Sequence, residues 1–89
     1  MISEADKKRI VDLSRKYSVK RILLFGSAAD AKADANDIDL GVSGVPDSLF
    51  FKFYGELISA LSKPVDLIDV EDGSSFSKLV SREGVVLYG

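Results

Sequence analysis

Apolar and polar positions follow one another in blocks whose period changes, and each change marks an element. Ile10, Leu13 and Tyr17 recur at helical spacing. With Ser3 as N-cap and the acids Glu4 and Asp6 in the first turn, they predict a helix that stops near Ser18. Lys7, Lys8, Arg9, Arg15 and Lys16 form its solvated face. Val19 to Phe25 then reads as a strand, and the unbroken run Ile22-Leu23-Leu24-Phe25 predicts burial on both faces. Gly26-Ser27 ends it, and the alanine-rich stretch from Ala28 to Ala35 predicts a short helix or helical turn. A second strand runs from Asp37 to Val42, and Ser43-Gly44-Val45-Pro46 turns the chain. Asp47 or Ser48 is the expected cap of the next helix. In that helix Phe50, Phe53, Tyr54, Leu57, Ile58 and Leu61 share one face. Leu49 and Phe51 widen the apolar arc to roughly 200°, against a usual stripe of a little over 100°. One edge of this helix is thus a candidate contact for a partner chain, as an alternative to full burial in the core.

Lys63-Pro64 breaks the helix. Val65 to Val70 is the third strand, Glu71-Asp72-Gly73-Ser74 a capping loop, and a short helix follows with Phe76, Leu79 and Val80 inward. Gly84 is placed to end it as a C-terminal glycine, and Val85 to Tyr88 forms a last strand. This alternation predicts a single two-layer α/β domain over residues 1–89.

The totals narrow the chemistry. The 89 residues include no cysteine and no histidine, so disulfides, thiolate sites and imidazole bases are excluded, and any metal must be held by oxygen. The net charge of −2 argues against a general nucleic-acid binder. The polar start of the chain and the shortness of its apolar runs predict no signal peptide, no membrane span and a cytoplasmic protein. Charge is unevenly spread: seven of the twelve Lys and Arg lie within the first 21 residues, and four aspartates lie between Asp30 and Asp39.

Side chains two apart on a strand point the same way, so Asp37 and Asp39 project from one face and Ile38, Leu40 and Val42 from the other. Two such carboxylates repel by about 4 kcal/mol near a protein surface, a cost that a divalent cation offsets. Asp66 shares a face with Ile68 and Val70, and Asp69 with Val65 and Leu67. If the third strand lies beside the second, Asp66 completes a three-carboxylate cluster; otherwise either aspartate simply ends an edge strand in solvent. Gly26 lacks a Cβ and lets backbone approach a polyphosphate, and Ser27 adds a hydroxyl and an N–H at a candidate helix N-terminus.

Taken in order, strand, Gly26-Ser27, nine further residues, Asp37-Ile38-Asp39 on a strand and Asp66 on a later one, the chain resembles the DNA polymerase β-like nucleotidyltransferase superfamily, and in its brevity the minimal nucleotidyltransferases. The resemblance implies a catalytic palm, a small mixed sheet of about three to four strands with helices packed on it. It implies that Gly26 and Ser27 hold the triphosphate of a nucleotide, ATP above all. It further implies that Asp37, Asp39 and Asp66 bind two magnesium ions, with manganese as a substitute, and transfer a nucleoside monophosphate to a hydroxyl with release of pyrophosphate. Minimal members resemble antitoxins whose partner is an all-helical HEPN-type toxin, adenylylated on a tyrosine, so a protein partner or a second copy is expected. The loop after Gly26-Ser27 reads Ala28-Ala29-Asp30-Ala31, where relatives often carry arginine. The nearest cation along the chain is Lys32. Weak nucleotide binding by the isolated chain is expected, and a palm that acts only by docking on a partner is the alternative. A structural α/β domain with solvated acids is the bland one.

Overall fold

The computed structural model describes residues 2–29 and 36–89, with the side chains of Ser27 and Ala28 left aside. The elements run α1 (Glu4–Lys16), β1 (Arg21–Phe25), a 3-10 turn (Gly26–Ala29), β2 (Ile38–Ser43), α2 (Asp47–Ala60), β3 (Val65–Asp69), α3 (Ser75–Glu83) and β4 (Val85–Tyr88). The sheet order is β3-β2-β1-β4. β1 is antiparallel to both β2 and β4, and β2 is parallel to β3. Among the described residues no helix is long and apolar enough to cross a membrane.

Period-two alternation gives the sheet two unlike faces. Ile22 and Leu24 of β1, Ile38, Leu40 and Val42 of β2, and Val65 and Leu67 of β3 enter one core with Ile10 and Tyr17 of α1 and Phe53 and Leu57 of α2. The opposite face is crossed by α3, whose Val80 lies against Leu23 and Gly41. Helices therefore cover both faces, where the alternation of elements predicts two layers. Gly41 is the reason α3 can sit so close: a Cβ there would stand 2.6 Å from Val70 Cγ1 and 3.2 Å from Val80 Cγ1.

Several local expectations change. The α2 N-cap is Pro46, with extended backbone and no side-chain cap, so Asp47 opens the helix at its positive end instead of capping it. Ile58 is 55% and Phe51 80% exposed, so only Phe53, Leu57 and Leu61 of the wide α2 face are buried, flanked by Phe50 and Tyr54. In α3, Phe76 and Leu79 are not inward: Ser77 and Val80 are the buried pair. Ser77 is satisfied there, its N–H donating to Ser74 Oγ at 3.0 Å and its hydroxyl to the Asp69 carbonyl at 3.3 Å. Gly84 caps α3 with φ −69°, outside the left-handed region; it is needed for space, because a Cβ would meet the Val80 carbonyl at 2.7 Å. Asp37 stands one residue before β2, not within it. Of the segment from Ala28 to Ala35, the first two residues belong to the 3-10 turn, and residues 30–35, Lys32 among them, lie outside the described residues.

One buried charge ties the helical layer together. Asp6, on the first turn of α1, is 2% exposed. It accepts the Ser62 N–H at 3.1 Å and the Ser62 hydroxyl at 2.5 Å just beyond α2, while its own N–H donates to Ser3 Oγ at 3.1 Å. Burial pushes its carboxyl up, but the two Ser62 bonds, with help from Ser3 and Arg9, outweigh that and hold it below the ordinary value of 3.8. A carboxyl depressed in the fold contributes stability above its ordinary value and loses it as pH falls through the lower folded one. Asp6→Ala is expected to lower unfolding free energy by about 2–3 kcal/mol at neutral pH, since it removes two charge-assisted bonds from Ser62. In urea melts the gap to the parent should shrink below about pH 4; a gap constant down to pH 2 would show that the charge is not its source.

Candidate active site

The face that α3 only partly covers is organised in rows across the strands. Leu23 pairs with Gly41 and Gly41 with Ile68, an apolar row that runs on to Val86. One step toward the rim, Phe25 pairs with Asp39 and Asp39 with Asp66. Residues in register across neighbouring strands stand about 5 Å apart and project alike, so an aromatic ring and two carboxylates lie side by side. Parallel pairing of β2 with β3 produces this row, fixed by the ladder from Ile38↔Val65 to Val42↔Asp69 and extended by the Val70 N–H to the Val42 carbonyl at 3.0 Å.

Asp39 is half-buried, whereas Asp37 and Asp66 are exposed. Its carboxyl is pushed above the ordinary value by burial first, then by the charges of Asp66 and Asp37. Both of the other sequence-predicted acids therefore act on this one group and disfavour its negative charge. The three do not converge on a point: among the described residues no three acidic side chains stand close enough to hold one ion. Asp69 is set apart on the other face, where its Oδ1 accepts the Glu71 N–H at 2.9 Å and closes a turn.

Gly26 follows Phe25 with φ +67°, a left-handed conformation that glycine adopts freely. Its missing side chain is as important as its φ, because a Cβ there would collide with Asp39 Oδ2. Backbone thus presses directly against the central carboxylate. Ser27 continues the 3-10 turn, and its side chain lies outside the described residues.

Sequence reasoning did not find the far end of the row. Phe25 meets Phe76 of α3 edge to face, with ring centroids 5.7 Å apart at 77°. Together with Gly26, Leu79, Val80 and Glu83 they line a cavity of about 340 Å³. Helical spacing predicts Phe76 and Leu79 inward; the Phe25 ring contact and the cavity shared with Gly26 place them at the acids' end of the sheet instead. Gly26→Ala is expected to cost about 1–2 kcal/mol from the left-handed backbone alone, and to displace the Asp39 carboxylate. Unchanged stability in urea together with an unchanged Asp39 titration by carbon NMR would contradict the close approach.

Comparison with known proteins agrees with this fold. A toxin–antitoxin structure with AMP-PNP is 28% identical at a TM-score of 0.75, over 93% of this chain and 73% of that one. The toxin–antitoxin MntA–HepT is 25% identical at a TM-score of 0.72, over 98% of this chain and 73% of the other. A protein described as a candidate minimal nucleotidyltransferase, at 23% identity and a TM-score of 0.72, shares the fold over 91% of this chain and 88% of its own. No curated protein sequence matches the chain. The sequence model of the polymerase β nucleotidyltransferases matches residues 8–89. On that match, which spans nearly all of its length, the chain belongs to the polymerase β nucleotidyltransferase family.

Proposed function

We propose that the chain transfers AMP from ATP to a hydroxyl of a partner protein, releasing pyrophosphate, and so acts as the antitoxin-like half of a pair. The observation that carries this reading is the row Phe25–Asp39–Asp66 with Gly26 against its central carboxylate. An all-carboxylate set suits a hard divalent cation, and Asp37, Asp39 and Asp66 are the residues that would hold magnesium or manganese. When bound, such ions neutralise phosphate charge and ease deprotonation of the attacking hydroxyl. Gly26 and Ser27 offer backbone N–H groups to the β- and γ-phosphates. Asp66, at the end of the row away from Gly26, takes the acceptor's proton as its oxygen bonds to the α-phosphorus and the bond from that phosphorus to the pyrophosphate oxygen breaks. The acceptor thus attacks from the Asp66 end of the row and pyrophosphate departs toward the Gly26 end, as in-line displacement requires.

The partner reading draws on the relatives, which include toxin–antitoxin structures, one of them with AMP-PNP. A tyrosine of a HEPN-type helical toxin is the proposed acceptor. A related toxin–antitoxin structure, 25% identical, carries two aspartate-to-glutamate substitutions two positions apart, the spacing of Asp37 and Asp39 here. Asp37→Asn and Asp39→Asn are each expected to reduce transfer of label from α-labelled ATP to the partner by about 100-fold or more, with no loss of thermal stability. Parent-like transfer by both variants would sink the catalytic assignment.

A second reading, neutralisation by docking alone, is favoured by the exposure of Phe51 and Ile58 one face apart from the core on α2. Calorimetric titration with Mg·ATP separates the two. Metal-dependent binding that disappears in Asp39→Asn supports transfer, whereas no binding by the parent, alone or with its partner, supports docking.

A further inference from the structure

Resting on the nucleotidyl-transfer reading, the geometry points to the cavity between Phe25 and α3 as the subsite for the nucleobase. Three observations converge on it. The cavity measures about 340 Å³, within the roughly 300–1,000 Å³ of small-molecule sites, and its lining from Phe25, Phe76, Leu79 and Val80 is overwhelmingly apolar. Gly26 lines the same cavity, so one backbone segment borders both the apolar pocket and the central carboxylate it presses against. The sheet register places Phe25 next to Asp39, one strand spacing from the acids.

The pocket's α3 wall stays open to solvent. Phe76 remains 54% and Leu79 45% exposed, while Ser77, bonded to Ser74 and to the Asp69 carbonyl, takes the inward position on α3. The Phe25 ring meets Phe76 edge-on and leaves aromatic surface open, a platform on which any base can stack. Glu83 also lines the cavity, with its Oε1 accepting from Arg82 Nε at 3.3 Å. The position favours a base over the acceptor's aromatic ring. The pocket lies at the Gly26 end of the row, whereas the acceptor must reach Asp66 at the other end.

The test compares Mg·ATP with Mg·tripolyphosphate on the full chain, and follows adenosine alone by amide NMR. The parent is expected to bind ATP about ten-fold or more tighter than tripolyphosphate. Phe76→Ala and Leu79→Gln should remove most of that advantage and leave tripolyphosphate binding at the parent's value. Adenosine at millimolar concentration should shift the amides of Gly26, Phe76, Leu79 and Glu83. Parent-like ATP affinity in both variants overturns the assignment, as do adenosine shifts elsewhere or none at all. Loss of partner docking with ATP binding intact would make the pocket a protein contact and overturn it too. If the parent binds neither ATP nor tripolyphosphate, the transfer reading fails, and the adenosine shifts still decide the pocket.

Discussion

Two carboxylates aligned on neighbouring parallel strands are a constraint that the rest of this small fold serves. Asp39 and Asp66 are in register because β2 and β3 run parallel, and like charges so placed repel by several times thermal energy near a protein surface. The fold keeps them there by making the opposite face of the same strands the core. Ile38, Leu40, Val42, Val65 and Leu67 are all buried, and slipping either strand by one residue would exchange those apolar side chains with the acids. Hydrophobic burial therefore fixes the register, and the register fixes the charges. The strain falls on Asp39, the one member half-buried between the other two acids.

The same rows explain why the two layers of helix are unequal. α1 and α2 seal a fully apolar face, with Asp6 bonding across from the start of one to the end of the other. α3 can cover only the inner rows of the second face, where Gly41 admits it; the outer row of acids stays open. Partial coverage by a nine-residue helix thus leaves the edge that carries the carboxylates exposed.

Much of this was legible in the sequence, for reasons that can be stated residue by residue. The strands were readable because Ile22-Leu23-Leu24 and Val65-Asp66-Leu67 carry period-two or unbroken apolar signals bounded by Gly26 and Pro64. Asp39 and Asp66 could be proposed as neighbours because their faces follow from alternation, once parallel pairing is assumed. What the sequence could not carry was register and depth. Phe25 belongs beside Asp39 only through the β1–β2 pairing, which a long connection leaves open. Phe76, Leu79 and Ile58 obey helical spacing as well as any core residue does, and tertiary placement alone leaves them exposed. Gly84 ends α3 as its position predicts, but the reason for a glycine there is space, which rests on contacts with Val80 and Leu23.

On the proposed reading, Asp37, Asp39 and Asp66, at the start of β2 and β3, draw together around a divalent cation beside Gly26 when one is supplied. Titration with manganese, followed by paramagnetic broadening of amide signals, tests it most directly. Gly26, Asp37, Asp39 and Asp66 are expected to broaden first and together, and excess magnesium to restore them. Broadening centred on another acidic stretch, such as Glu71 and Asp72, with Asp39 and Asp66 unaffected, would contradict it.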